Sequence, residues 1–154
     1  MNKNLIAVGI QSGKMELFDR RTQRKIMTFL DEAANGKFDS VTAIIRTQRS
    51  KDGYLSAMAN DGIAADANEV IPYEATQVIC VPGFDVDATQ FRLGEKYYIM
   101  GISTSASVLC IALSMFSAGL DVYVIEDMCR DRKGDKYHKY AIEILKAYMP
   151  GRVV

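Results

Sequence analysis

Several residue types that mark particular protein classes are scarce in this chain of 154 residues. It has one histidine and no tryptophan, and its 19 basic and 19 acidic side chains give a formal net charge of zero. A single histidine cannot build the usual zinc sites, and a neutral balance does not favour nucleic acid or an anionic membrane as a partner. The sequence therefore predicts no metal, no other cofactor, no nucleic acid and no membrane partner.

The cysteines are few and odd in number. Cys80, Cys110 and Cys129 each lie in or beside an apolar run, which predicts reduced, buried thiols rather than a disulfide framework. The opening residues, MNKNLIAVGIQ, contain too short an apolar run for a signal peptide, and no run is long enough to span a bilayer. We expect a cytoplasmic protein.

Apolar runs alternate with helical patterns along the chain, and the whole of residues 1–154 is predicted to form one domain. Five of these runs are continuous rather than alternating, which is typical of parallel strands covered on both faces. They predict a three-layer α/β/α sandwich, Rossmann-like, with a mostly parallel sheet of five or six strands. The predicted strands are Leu5–Ile10, Val41–Ile45, Gln77–Val81, Tyr97–Ile102 and Val122–Glu126.

Three further segments complete this prediction. A helix precedes Asn35-Gly36, with Ile26, Phe29, Leu30 and Ala33 at helical spacing. The last helix covers about residues 135–148, with one apolar face formed by Tyr137, Ala141, Ile144, Leu145 and Tyr148. Residues 50–76 contain turn signals and small residues, and we interpret them as a long excursion that forms a pocket wall or an oligomer contact.

In open α/β sheets, ligands bind beyond the carboxyl ends of the strands. Candidate ligand-binding residues follow four of the predicted strands. Hydroxyl groups and free N–H groups open the helix after the fourth strand, and arginines follow the second, so both ends suit a small anion or carbonyl oxygen. An ordinary N-cap and solvated arginines are the alternatives. The candidate ligand-binding residues are Gln11, Arg46, Arg49, Phe84, Ser103, Thr104, Ser105 and Ser107.

The segment Gly101-Ile102-Ser103-Thr104-Ser105-Ala106-Ser107-Val108 resembles the signature of the isochorismatase-like cysteine hydrolases, the superfamily that includes nicotinamidases. Leu5–Gln11 is similar to the opening strand of that family, which normally ends in Asp-x-Gln. The resemblance implies an oxyanion hole and an unusual peptide bond in the turn after the fourth strand. It also places Ser107 at the nucleophilic cysteine, Gly9 at the catalytic aspartate, and Val81 or Pro82 near the catalytic lysine.

Other residues are candidates to replace the missing catalytic cysteine, aspartate and lysine. Cys110 and Cys80 are interpreted as packed core thiols, and His138 as a solvated residue of the last helix. Asp85 and Asp87 follow the third strand, where either a displaced catalytic acid or a helix N-cap fits the position. None of these readings supplies a confident catalytic residue.

The resemblance and the candidate residues together predict a catalytically inactive protein. It would sequester or sense a small nucleotide- or nicotinamide-derived metabolite, and a viral sponge of host nucleotide signals is one setting that suits it. The alternatives are a divergent amidohydrolase that uses Ser107 and an oligomeric scaffold with a vestigial pocket. Because the helix over 104–118 is apolar almost all round, we expect a homo-oligomer formed through it and through residues 50–76.

Overall fold

A five-stranded parallel sheet forms the centre of the computed structural model, which describes residues 2–16, 18–46, 71–81 and 83–154. The strands are β1 (Lys3–Val8), β2 (Ser40–Arg46), β3 (Gln77–Val81), β4 (Lys96–Ile102) and β5 (Asp121–Arg130). They pair in the order β3-β2-β1-β4-β5, and every pairing is parallel. The predicted parallel sheet is confirmed, although β1 ends two residues earlier than expected and β5 runs four residues further.

The chain end lies beside β5. Val153 forms a parallel bridge with Val124, whose N–H donates to the Arg152 carbonyl at 2.8 Å, and Val154 N–H returns a bond to Val124 at 2.9 Å. This short pairing covers part of the outer edge of β5, as a sixth strand would.

Four helices and three short helical turns accompany the sheet in the described part of the chain. The helices are α1 (Ser12–Met15), α2 (Arg20–Glu32), α3 (Leu109–Ser117) and α4 (Asp135–Tyr148). Asp19 caps α2, because its carboxylate accepts the Thr22 N–H at 2.8 Å. A wide turn, Ala33–Lys37, ends that helix at Gly36, where φ is +103°. A π-helical turn, Thr104–Val108, leads into α3.

The side chains of β1 alternate between two apolar clusters, one on each face of the sheet. Leu5 and Ala7 belong to the cluster that contains Leu30 of α2. Ile6 and Val8 belong to the other cluster, which includes residues of both α3 and α4. The three predicted layers are therefore present, and burial on both faces explains why the strand sequences are continuously apolar.

The predicted apolar face of the last helix is only partly correct. Ala141 and Leu145 are buried, together with Ile142, but Tyr137, Ile144 and Tyr148 are exposed. The buried stripe of α4 is therefore rotated from the one that the sequence pattern suggested. Within the described residues, no helix is long and apolar enough to cross a membrane.

The prediction that all three cysteines are buried is wrong for two of them. Cys129 is fully buried, whereas Cys80 and Cys110 are exposed. Cys80 lies on β3, an edge strand with a mostly exposed burial pattern, and Cys110 lies on the outer side of α3. An apolar neighbourhood in sequence does not determine which face of an element a residue occupies.

Candidate functional site

At the carboxyl ends of β1 and β4, the two backbones approach so closely that there is no room for a side chain at Gly9 or Gly101. Gly101 of β4 pairs with Val8 of β1, and a Cβ added at Gly101 would lie 1.9 Å from the Val8 carbonyl oxygen. Gly9 has φ +62°, and its Cβ would lie 2.4 Å from the Ile102 carbonyl oxygen. The two glycines thus bring the turns after β1 and β4 side by side. This is also where the strand order reverses, and open α/β sheets bind ligands at that point.

Buried polar side chains concentrate at this edge of the sheet. In the part of the chain that the structure describes, eight polar or charged side chains are buried, and only Asn4 and Thr42 lie away from the carboxyl ends of the strands. Burial of polar groups costs free energy unless they find hydrogen-bonding partners, so such a concentration marks a candidate site. The other six are Gln11, Lys14, Arg46, Thr104, Ser107 and Asp131.

Three of the predicted ligand-binding residues lie together at the ends of β1, β2 and β3. Gln11 is 1% exposed, and its side-chain oxygen accepts the Arg46 N–H at 3.3 Å. The Arg46 guanidinium carbon lies 5.1 Å from the centre of the Phe84 ring, which is within the range of a cation–π contact. Arg49, also predicted, lies outside the described residues.

Lys14 is a member of this region that the sequence reasoning missed. Its side chain is 4% exposed, and its Nζ lies 3.2 Å from the point where a Cβ at Gly9 would stand. No motif in the sequence marks this lysine. We call Gln11, Lys14, Arg46 and Phe84 the corner.

The turn after β4 is held by the loop that follows β5. The Ile102–Ser103 peptide bond is cis, in line with the unusual bond that the resemblance implied. The Ser105 N–H donates to the Asp131 carboxylate at 2.7 Å, and Ser103 Oγ accepts the Arg132 N–H at 3.3 Å. The Ser105 N–H therefore has an acceptor within the chain, and Ser103 and Ser105 help to position the turn. Their role as ligand-binding residues stays a prediction.

His138 and Thr104 also belong to this arrangement. His138 Nδ1 lies 2.7 Å from Thr104 Oγ1, and the histidine is half-buried rather than solvated as predicted. Burial, followed by the positive charge of Arg130, lowers the pKa of His138 below its ordinary value. A groove of about 650 Å³ includes this histidine in its lining, together with Phe18, Thr22, Arg130 and Asp131.

Comparison with known proteins shows which proteins share this fold. Residues 88–153 match the family model described as the isochorismatase domain. The whole chain superposes on a nicotinamidase from Bacillus subtilis with a TM-score of 0.72 at 11% identity, covering 100% of this chain and 99% of that one. Part of the chain therefore matches the isochorismatase domain, and the whole chain has the fold of these hydrolases.

Other solved structures share the fold. An isochorismatase family protein from Desulfovibrio vulgaris matches with a TM-score of 0.71 and 15% identity over 99% of this chain and 94% of that one. A ribonuclease from Caenorhabditis elegans matches with a TM-score of 0.70 and 14% identity over 99% of this chain and 76% of its own. No curated protein sequence matches this chain. At such identities the structural matches establish the fold alone.

The acids after β3 form hydrogen bonds with nearby residues. Asp85 accepts the Val86 N–H at 2.8 Å and the Ser114 hydroxyl of α3 at 3.1 Å. Asp87 accepts the Thr89 N–H at 3.0 Å and caps the short turn Ala88–Gln90, which confirms the N-cap alternative for this residue. The hypothesis of a displaced acid directed at the pocket finds no support in these contacts.

Neither thiol near the sheet edge has the character of a nucleophile. Cys110 lies one turn beyond Ser107 and is exposed rather than deep in the core. Partial burial of its thiol, followed by the nearby Asp85 charge, still raises its pKa. Burial raises the pKa of Cys129 to about 12. Because the thiolate is the reactive form, both sulfurs are poorly activated near neutral pH. Within the described residues, no group of three metal-ligating side chains comes together.

Proposed function

We propose that this isochorismatase-like chain binds a small nucleotide- or nicotinamide-derived metabolite at the corner and does not hydrolyse it. The observation that carries the proposal is the backbone at Gly9. This residue has φ +62°, and any side chain there would meet the Ile102 carbonyl oxygen at 2.4 Å. The resemblance places the catalytic aspartate of the family at this position, and the present backbone has no space for it.

The absence of this aspartate affects the reactivity of Ser107, which the resemblance places at the nucleophile position. A serine hydroxyl is a weak nucleophile unless an adjacent base takes its proton. With no carboxylate on residue 9, that base would have to come from elsewhere. Binding without turnover follows from a corner that keeps its polar lining and lacks this proton acceptor.

The ligand class rests on the character of the lining. Arg46 and Phe84 together offer a cation and an aromatic face, and both suit a flat ring that carries an anionic or amide group. Gln11 is held in place by its bond to the Arg46 backbone and adds an amide at the same edge. The likeness in fold to a nicotinamidase supports a ring amide or a related nucleotide as the first candidates to test.

Native mass spectrometry tests this proposal. The purified chain is mixed separately with nicotinamide, nicotinate, adenosine and adenosine 5′-monophosphate, and a bound mass equal to an unmodified ligand is expected for at least one of them. Arg46→Met should weaken that binding about tenfold or more, because it removes a charge-assisted contact. Arg20→Met, at an exposed position of α2, is the matched control. The absence of binding by all four compounds contradicts the proposal.

One observation favours the divergent amidohydrolase as a second candidate. Lys14 is a buried amine at the same corner, and hydrolases in which a lysine serves as the base of a serine nucleophile are known on several folds. This candidate requires release of ammonia from nicotinamide. That release should disappear in both Ser107→Ala and Lys14→Met and persist in Ser117→Ala on the exposed end of α3.

We also propose that the chain forms a homo-oligomer through the outer side of α3. Helix α4 covers one side of α3, but Leu109, Leu113 and Phe116 remain only partly buried, and Cys110 is exposed among them. Cys110→Arg would introduce a charge there without disturbing the core, and Cys110→Ser is the matched control. Light scattering after size-exclusion chromatography should show a smaller species for Cys110→Arg alone. The same mass for all three proteins contradicts this interface.

A further inference from the structure

The space next to Gly9 is occupied by a cation. Lys14 Nζ lies 3.2 Å from the point where a Cβ on Gly9 would stand, and that point lies 2.4 Å from the Ile102 carbonyl oxygen. The ammonium group therefore lies at the junction of β1 and β4, beside the first atom that any side chain on residue 9 would have. Short helix α1 holds it there, since the Lys14 N–H donates to the Gln11 carbonyl at 3.0 Å.

A second buried cation, Arg46, is distant in sequence but lies on the strand next to β1. Arg46 ends β2, which pairs directly with β1, and is 5% exposed. Lysine and arginine are rarely buried to this extent, because removing their charges from water is costly. The two residues are linked through Gln11, whose side-chain oxygen accepts the Arg46 N–H and whose carbonyl oxygen accepts the Lys14 N–H.

We propose that Lys14 is a ligand-binding residue and that the corner takes an anion, a phosphate or a carboxylate, whose charge lies against the Lys14 ammonium group beside Gly9. This inference rests on the proposed function, because it names the chemical class of the ligand of that same site. An ammonium group has three N–H donors and a guanidinium five, so both side chains can hold a ligand in addition to protein partners. The Phe84 ring, packed against Arg46, then lies where a ring attached to the anion would stack.

The alternative is that Lys14 only fills the space that glycine leaves at position 9. In that case its methylene groups matter and its charge does not. Lys14→Met separates the two roles, since methionine is similarly long and unbranched but carries no charge. The space-filling role predicts unchanged ligand preference, whereas the binding role predicts that the preference for anions is lost.

Isothermal titration calorimetry with two matched pairs of ligands tests the proposal. The pairs are nicotinate with nicotinamide, and adenosine 5′-monophosphate with adenosine, so that the first reports a carboxylate and the second a phosphate. In at least one pair, the wild-type chain should bind the anion about ten- to a hundredfold more tightly than its neutral partner. Lys14→Met should reduce that ratio to about one, and Lys136→Met, at an exposed lysine of α4, should leave it unchanged.

A measurement on the wild-type chain covers the case in which Lys14→Met does not fold. The side-chain ¹⁵Nζ resonance of Lys14 should shift on addition of the anion that binds and not on addition of its neutral partner. Equal affinity for both members of each pair, or a Lys14→Met chain that keeps the preference, overturns this inference and leaves the proposed function in place. Failure of the wild-type chain to bind any of the four compounds overturns the proposed function, and the inference with it.

Discussion

Replacement of Gly101 by alanine should destabilise the protein severely, because this glycine sets the contact between β1 and β4. Its φ is +139°, and the added Cβ would lie 1.9 Å from the Val8 carbonyl oxygen and within 3.0 Å of two further Val8 backbone atoms. Since the clashing atoms are all backbone, no side chain can rotate away. The strands must separate by about 1 Å for the contact to reach even the shortest distance at which real Cβ atoms are found.

The expected cost has two parts. A non-glycine residue at a φ of this kind costs about 1–3 kcal/mol. Separation of the strands weakens the β1–β4 hydrogen bonds next to Val8, each of which contributes about 0.5–1.5 kcal/mol. Together they lower the free energy of unfolding by about 4 kcal/mol, or by about 8–16 °C in melting temperature for a chain of this size.

Gly36→Ala is the matched control, because Gly36 also has a positive φ, +103°, but a Cβ there meets nothing within 4 Å. It should cost only the conformational part, about 1–2 kcal/mol. Urea unfolding followed by circular dichroism measures both variants, with the slope of each transition checked for two-state behaviour. A Gly101→Ala chain within about 1 kcal/mol of Gly36→Ala would refute the claim that the ends of β1 and β4 touch at this point.

Three further predictions concern the surroundings of the site. First, NMR titration should give His138, the single histidine of the chain, a native pKa below the value of about 6.5 that it has in the unfolded protein. Because the unfolded chain then takes up its proton first, the free energy of unfolding should fall as the pH drops below about 6.5. A native pKa at or above about 6.5 refutes this. Second, Asp131→Ala should lower the free energy of unfolding by about 2–4 kcal/mol, because it leaves the Ser105 and Lys133 N–H groups without their acceptor, whereas Asp135→Ala at an exposed position should cost less than about 1 kcal/mol. Equal effects of the two substitutions count against the role assigned to Asp131. Third, a disulfide reagent at pH 8 should modify Cys80 and Cys110 in the native protein and reach Cys129 only after unfolding; three reactive thiols in the native state contradict the burial of Cys129.

The sequence pattern predicted the sheet well, because its central strands β1 and β2 are buried on both faces and their apolar runs have no other simple interpretation. The resemblance over residues 101–108 located the turn after β4 and the neighbouring end of β1. What the pattern could not reveal depends on contacts between distant parts of the chain. The acceptor for the Ser105 N–H, for example, is Asp131, which lies 26 residues later and which no motif marks.

Burial of individual side chains was the other weak point. Cys80 and Cys110 lie in apolar surroundings along the sequence, yet each occupies an outward-facing position of its element. Lys14 is the opposite case, a charged residue in a turn-like sequence that is almost completely buried. The orientation of such residues is decided by packing between elements, here the close approach of β1 to β4 at Gly9, and a single sequence carries no direct record of it.

The central claim, binding without turnover, is tested most directly by the chemical state of a ligand recovered from its complex. The chain is incubated for a day with nicotinamide at a concentration that gives binding, and the ligand and any ammonia released are then measured, with Ser107→Ala treated identically. The account predicts that all the nicotinamide is recovered unchanged and that the two proteins give the same result. Release of ammonia by the wild-type chain that is absent from Ser107→Ala would contradict it and identify the protein as a hydrolase.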